Sequence, residues 1–264
     1  MENKSEKYYT LITGASAGIG KQIATECAKK GHNLLLVALP NTDLDDLQKE
    51  LQQDYSSDIH ALPMDLTIHD GPKEIFSYTQ QKKLKVNALI NNAGVGFNGK
   101  FENYSPEVID QMILLNIRAT TLLTLFFLPE MKKMRKAHIV NISSFAAFTA
   151  LPYKSVYAAT KSYHLFLTQA INNELKNTNV RVMSVHPSGV SSKRTMEHIQ
   201  RSSILTRITA LTPEKVAKVV VESMEKGKRR VIPGLFTQFY YLLGYLIPHG
   251  VFIRIVGRIF RNNP

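Results

Sequence analysis

The chain has 264 residues, is 44% hydrophobic and carries 33 basic against 21 acidic residues, a net charge of +12. Length and apolar content predict a large buried core, and α/β folds of this size often form one unit. The single cysteine, Cys27, excludes an intrachain disulfide framework and a cysteine-built metal site, and fits a reducing compartment. The N-terminal run MENKSEKYYT lacks a basic segment followed by an apolar stretch, so it does not read as a signal peptide, and a cytoplasmic location is expected. The charge is unevenly placed. After Glu225 come seven basic residues and no acidic ones, leaving 26 basic against 21 acidic residues before that point. With no paired Cys/His, basic heptad helix or RNA-binding aromatic signature beside it, the excess does not point to nucleic acid.

Apolar runs of strand length alternate with helical patterns. A strand over Tyr8 to Ile12 leads into a helix from about Ile19 to Lys30, apolar along Ile19, Ile23 and Cys27 and ended by Gly31. A second strand, Asn33 to Ala38, precedes a helix marked by Leu44, Leu47 and Leu51, and a third strand lies near Ile59 to Pro63. Val86 to Ile90 and Ala137 to Ile142 flank a long helix that opens at Ser105 with Pro106 and Glu107 in its first turn. A helix over Val156 to Leu175, a strand over Val180 to Val185, and a helix capped by Thr212 and stopped by Gly227 follow. Val231 to Pro233 closes the sheet. Strands separated by helices predict parallel pairing through right-handed crossovers, hence a single doubly wound α/β sheet with helices on both faces.

Two local patterns carry chemistry. Thr13-Gly14-Ala15-Ser16-Ala17-Gly18-Ile19-Gly20 joins the first strand to the first helix, where such folds hold a dinucleotide pyrophosphate on backbone N–H groups and the helix dipole. Its spacing is not G-x-G-x-x-G, and an ordinary glycine-rich turn has the same composition. Tyr157 and Lys161, four residues apart, share one helix face, so the ammonium can favour the phenolate of a tyrosine whose free pKa is near 10. A hydroxyl from Ser143 or Ser144, at the carboxyl end of the preceding strand, can orient a substrate oxygen beside them. Taken singly, each of these is also an ordinary core-rim tyrosine or solvated lysine.

In order along the chain stand TGASAGIG at 13 to 20, Asp65-Leu66, NNAG at 91 to 94, Asn116, NISS at 141 to 144 and YAATK at 157 to 161. Together, across roughly Tyr8 to Val190, the chain resembles the classical short-chain dehydrogenase/reductase family. The resemblance implies a Rossmann-like fold and hydride transfer between a nicotinamide cofactor and a carbonyl or alcohol. It implies Tyr157 as general acid/base, Lys161 as ribose ligand and helper, Ser144 as the carbonyl-orienting hydroxyl, and Asn116 as support for a water in a proton relay. Ser144 is preferred to Ser143 because its spacing of 13 residues from Tyr157 matches the family. The resemblance assigns Gly14, Ser16, Ala17, Gly18, Ile19 and Gly20 to the cofactor, Asp65 and Leu66 to its adenine end, Asn92, Ala93 and Gly94 to its ribose side, and Pro187 and Val190 to the nicotinamide. It also implies a homodimer or homotetramer. No metal ligand is assigned, His186 and His198 included.

Departures from the pattern bear on specificity. Ala38 fills the family's usual acidic position, Leu39 its common arginine position, and Ala17 its common basic position in the glycine motif. Without a carboxylate the pocket does not repel a ribose 2′-phosphate, so NADP(H) is slightly favoured over NAD(H), with Lys21 as a source of attraction. His186-Pro187-Ser188-Gly189-Val190 shifts the family's Pro-Gly by one residue. Met196, Ile199, Ile204, Leu205 and Ile208, with Phe97, Phe145 and Phe148, suggest a hydrophobic substrate, which agrees with a resemblance to the 3-oxoacyl and steroid reductase branch, although core packing is the favoured explanation of any one such residue.

Residues 1–233 read as the catalytic domain and 234–264 as a helical extension. Leu235 to Ile247 is too short to span a bilayer, and Val251 to Arg261 forms an amphipathic helix with Arg254, Arg258 and Arg261 on one side. Peripheral contact with the inner face of a membrane and docking onto the domain or a second subunit are equally expected of it. A noncatalytic dinucleotide-binding sensor or scaffold is the alternative to an enzyme.

Overall fold

The strands are apolar at successive residues because both faces of the sheet are buried. Leu34, Leu36 and Ala38 of one strand enter the core on one side of the sheet, and Leu35 and Val37 between them enter the core on the other. In the computed structural model, which describes residues 6–190, 211–246 and 249–261, the strands are β1 (Tyr8–Thr13), β2 (Asn33–Ala38), β3 (Ile59–Pro63), β4 (Lys85–Asn91), β5 (Ala137–Ile142), β6 (Val180–Val185) and β7 (Arg230–Val231). They pair in parallel in the order β3-β2-β1-β4-β5-β6-β7. The order reverses between β1 and β4, which opens a crevice at their carboxyl ends.

One face is covered by α1 (Gly18–Lys29), α2 (Leu44–Asp54) and, beyond them in sequence, the Pro213–Glu225 helix. The expected stripe Leu44, Leu47 and Leu51 is fully buried there. The other face receives Ile75 of α3 (Gly71–Gln81) and Leu123, Phe127 and Met131 of α5 (Thr120–Lys132). Truncating one such leucine costs about 2–5 kcal/mol, so either layer carries much of the stability. Ser105 caps α4 (Pro106–Met112) as expected, its Oγ accepting from Val108 N at 3.4 Å. α6 (Ser155–Glu174) and α7 (Pro213–Glu225) follow, the latter capped by Thr212, and the tail forms α8 (Leu235–Leu246) and α9 (His249–Arg261).

Several features differ from the sequence expectation. The sequence pattern does not single out α3, because that helix presents a narrow apolar stripe behind Asp70 and Pro72. The long 105–132 helix contains a π-helical stretch, Ile113–Ala119, between α4 and α5. β7 is Arg230–Val231, one residue earlier and shorter than Val231 to Pro233, because only Ser184 and Val185 of β6 offer it partners. The tail docks on the domain: Tyr241 lies 4.5 Å from the Phe148 ring, and a Cβ on Gly257 would come within 3.2 Å of Pro152. Met196, His198, Ile199, Ile204, Leu205 and Ile208 lie outside the described residues.

Candidate active site

The glycine loop leaves β1 at Thr13 and enters α1 at Gly18. Gly14 and Gly18 take φ of +65° and +55°, a region costly for side chains with a Cβ. A Cβ on Gly20 would sit 2.0 Å from the Gly14 carbonyl oxygen, so the helix can approach the turn only through glycine. Ala17 is the extended N-cap of α1 and makes no side-chain cap bond, and Ser16 and Ala17 stand at the accessible rim. Around Gly18, a Cβ would meet nothing within 4 Å. Open space before uncapped helix N–H groups suits a pyrophosphate.

The NNAG segment is scaffold and rim together. Asn91 Nδ2 donates to Asn141 Oδ1 at 2.9 Å, tying β4 to β5. Asn92 Nδ2 donates to the carbonyls of Thr13 and Gly14 at 2.9 and 3.1 Å, and the Asn92 and Ala93 N–H groups both donate to Thr13 Oγ1. These bonds fix the two sides of the crevice. Gly94 is exposed there, and a Cβ on it would meet Lys161 Nζ and Asn116 Oδ1 at 3.2 Å. Asp65 accepts at Oδ1 from Thr67 N and Oγ1, while the Leu66 side chain belongs to the core. Leu66 can therefore meet an adenine only through its backbone.

Tyr157, in the first turn of α6, lies beside Gly96: a Cβ there would come within 2.8 Å of its ring. Lys161 Nζ lies 5.8 Å from the centroid of that ring and donates to the Ile142 carbonyl at 3.0 Å. Burial lowers the Lys161 ammonium to about 8. The tyrosine runs against the sequence expectation. Burial pushes its phenol up from the ordinary value, and a hydrogen bond to Ser144 opposes the rise.

The two serines separate. Ser143 Oγ donates to the Lys161 carbonyl at 2.8 Å and is buried, whereas Ser144 begins the 3-10 turn Phe145–Phe148, accepts from Ala146 N at 3.1 Å and bonds Tyr157. The Pro187 carbonyl accepts from Phe145 N at 2.8 Å, which places it beside this turn, and Val190 forms a bridge with Leu211.

Asn116 is fully buried in the π-helical stretch. Its side chain clamps Val95 through both backbone groups and donates to Thr160 Oγ1 at 3.0 Å. Its carbonyl oxygen lies 2.5 Å from His164 Nε2. Sequence reasoning passes over His164, whose only signal is a position on the same α6 face as Tyr157 and Lys161. Burial and the Lys161 charge lower it to about 3, so it is neutral. His186 holds the Ser144 carbonyl with Nδ1 at 3.2 Å and Ser184 Oγ with Nε2 at 2.9 Å; burial lowers it to about 4. Among the described residues no group of His, Cys, Asp and Glu could hold a metal ion.

At the adenine end, Ala38 is buried, Leu39 is 53% exposed and Asn41 has φ of +59°. Lys21, expected as a phosphate attractor, instead pairs with Glu50 at 3.0 Å.

A sequence model described as short chain dehydrogenase matches residues 9–203. The 7beta-hydroxysteroid dehydrogenase of Clostridium sardiniense is 28% identical over 246 residues, covering 92% of this chain and 89% of that one. Among solved structures, a 7beta-hydroxysteroid dehydrogenase superposes with a TM-score of 0.86 at 20% identity, covering 94% of this chain and 96% of that one. A short-chain dehydrogenase from Sphingobium yanoikuyae in complex with NADPH gives 0.78 at 29% identity, with 93% and 95% covered. One from Burkholderia phymatum in complex with NAD gives 0.80 at 20% identity, with 91% and 94% covered.

Proposed function

The chain belongs to the short-chain dehydrogenase family and is an NAD(P)-dependent oxidoreductase, and from that premise we propose that it interconverts a carbonyl and an alcohol on a hydrophobic, steroid-like substrate with NADP(H). The observation that carries the reading is the meeting of Tyr157, Lys161 and Ser144 with the glycine loop at the carboxyl ends of β1, β4 and β5. A bound nicotinamide supplies the hydride that adds to the carbonyl carbon. Tyr157, protonated through burial, gives its proton to the carbonyl oxygen as that bond becomes an alkoxide, and Ser144 donates a hydrogen bond to the same oxygen. Lys161 holds the ribose and keeps a cation beside the phenolate that remains. Gly14, Ser16, Ala17, Gly18, Ile19 and Gly20 bind the pyrophosphate; Asp65 and Leu66 the adenine; Asn92, Ala93 and Gly94 the ribose; Pro187 and Val190 the nicotinamide. Residues 1–233 act as the catalytic domain and 234–264 as its extension.

The NADP(H) preference is supported by the missing carboxylate at Ala38 and Leu39. Measuring KM for NADPH and NADH decides it, and a large preference for NADH overturns it. For the chemistry, NADPH oxidation with steroid, long-chain and aromatic ketones is compared between wild type and Tyr157→Phe. The wild type is expected to turn over at least one class, and the variant to lose about a hundredfold to ten-thousandfold in kcat. Tight cofactor binding without turnover of any ketone would make the chain a sensor or scaffold instead.

Self-association into a dimer or tetramer is supported by exposed Leu125 and Phe166 on α5 and α6, helices linked by the Thr121–Tyr163 bond. Peripheral membrane contact is supported by exposed Leu235, Phe239 and Leu242 on α8 and Val251 and Ile255 on α9. Flotation with anionic liposomes tests it: unchanged binding by a chain stopped near Pro233 ends it.

A further inference from the structure

The side of α9 turned toward the domain does not simply close on it. Between α9 and two loops lies a cleft of about 860 Å³, within the range that holds a drug-sized ligand. Its position ties it to the catalytic tyrosine. The Gly96 backbone touches the Tyr157 ring, and Lys100 on the cleft wall is four residues further on, so at most about 14 Å of chain separates them. Tyr153, four residues before Tyr157, also lines the cleft, and the Gly99 N–H donates to its carbonyl at 2.8 Å, joining the two loops. The cleft therefore lies one short stretch of chain away from the catalytic tyrosine on each of the two loops.

The walls are apolar at Phe101, Pro152 and Ile253, and cationic at Lys100, Arg254 and Arg258. One acid, Glu102, is present, and it lies 3.3 Å from Lys100 Nζ. The two guanidiniums remain. They stand at i and i+4 on one helix face, where like charges repel, and among the described residues no carboxylate lies within 4.0 Å of either. Gly257 between them lets the helix come close against Pro152, which holds both arginines at the wall. Arginine forks bind planar oxyanions through paired N–H bonds, and a bound anion removes the repulsion between them.

We propose that Arg254 and Arg258 select substrates that carry an oxyanion, a carboxylate above all, at the end remote from the reacting carbonyl. The substrate class is then an amphipathic keto acid or hydroxy acid: an apolar body long enough to reach from Tyr157 to α9, with one terminal negative charge. The inference rests on the carbonyl–alcohol reading above.

The test uses the full chain with NADPH and one matched pair, 12-oxooctadecanoic acid and its methyl ester, with 3-oxocholan-24-oic acid and its methyl ester as a rigid counterpart. For at least one pair the acid is expected to show a KM at least tenfold below that of its ester at similar kcat, an advantage that shrinks as salt is raised. In Arg254→Gln/Arg258→Gln that advantage should fall at least tenfold, with circular dichroism checking the fold. Acid and ester reduced with equal KM, or an acid advantage untouched in the variant, overturns the proposal and leaves carbonyl reduction standing. Reduction of neither member of either pair overturns the steroid-like substrate reading and the proposal with it.

Discussion

The catalytic crevice and the C-terminal helix pair are built on opposite terms. In the crevice nearly every polar group has a named buried partner: Asn91 on Asn141, Asn92 on the glycine loop, Ser143 on Lys161, Asn116 on Val95. The tail docks through Tyr241 and Gly257, yet leaves Leu235 82% exposed and its arginines without carboxylates among the described residues. Buried polar networks that are largely paired restrict the geometry, because an unmatched partner there costs the full desolvation penalty. A half-covered amphipathic helix fixes much less. The first region holds the residues proposed for the reaction, and the second those proposed for the choice of substrate.

The sharpest way to break that comparison is to substitute the same residue type in both regions. Gly20→Ala would force a Cβ into the Gly14 carbonyl, so cofactor affinity measured by fluorescence titration should weaken by at least about a hundredfold. Retention of affinity would show that the turn is not rigid. In the tail, Gly250→Ala meets nothing within 4 Å and should change stability by less than about 1 kcal/mol, read as a small Tm shift.

Between these extremes lies the acid response. His138 and His186 are lowered to about 4 and His164 to about 3, in each case chiefly by burial, against an unfolded value near 6.5. Between about pH 6.5 and 4 the unfolded chain therefore binds protons that the folded chain refuses, and stability falls as pH drops through that window. The loss should amount to about 3 kcal/mol per histidine by pH 4, since each tenfold drop in a histidine's proton affinity on folding is worth about 1.4 kcal/mol. His164→Leu should flatten the Tm-against-pH curve; an unchanged slope would show that this imidazole takes up its proton in the folded state.

The serine pair sharpens the assignment within the crevice. Ser144→Ala should lower kcat by about tenfold to a hundredfold, the loss of one hydrogen bond to developing charge. Ser143→Ala should instead lower Tm, since its hydroxyl serves the Lys161 carbonyl. Reversed effects would exchange the two roles.

Much of the sheet is legible in the sequence because each strand is a short apolar run between turn residues: β2, β3, β5 and β6 match their expected spans. α3 is not, because its stripe is narrow and Phe76 and Tyr78 pack only partly. The motif residues can be named from order and spacing, but their contacts cannot. Nothing in the spacing of Asn116 and His164, 48 residues apart, announces a 2.5 Å contact, and nothing in Lys21 announces Glu50.

By itself, the sequence determined the alternation of strands and helices, the motif set at the strand ends and the concentration of positive charge after Glu225, since all three are properties of neighbouring residues. Tertiary structure alone decided that Ser143 is spent on the Lys161 carbonyl, that burial raises the phenol of Tyr157, and that Arg254 and Arg258 line one cleft with Lys100 and Phe101. Each of those depends on desolvation or on distances between remote segments, quantities that exist only once the chain has packed.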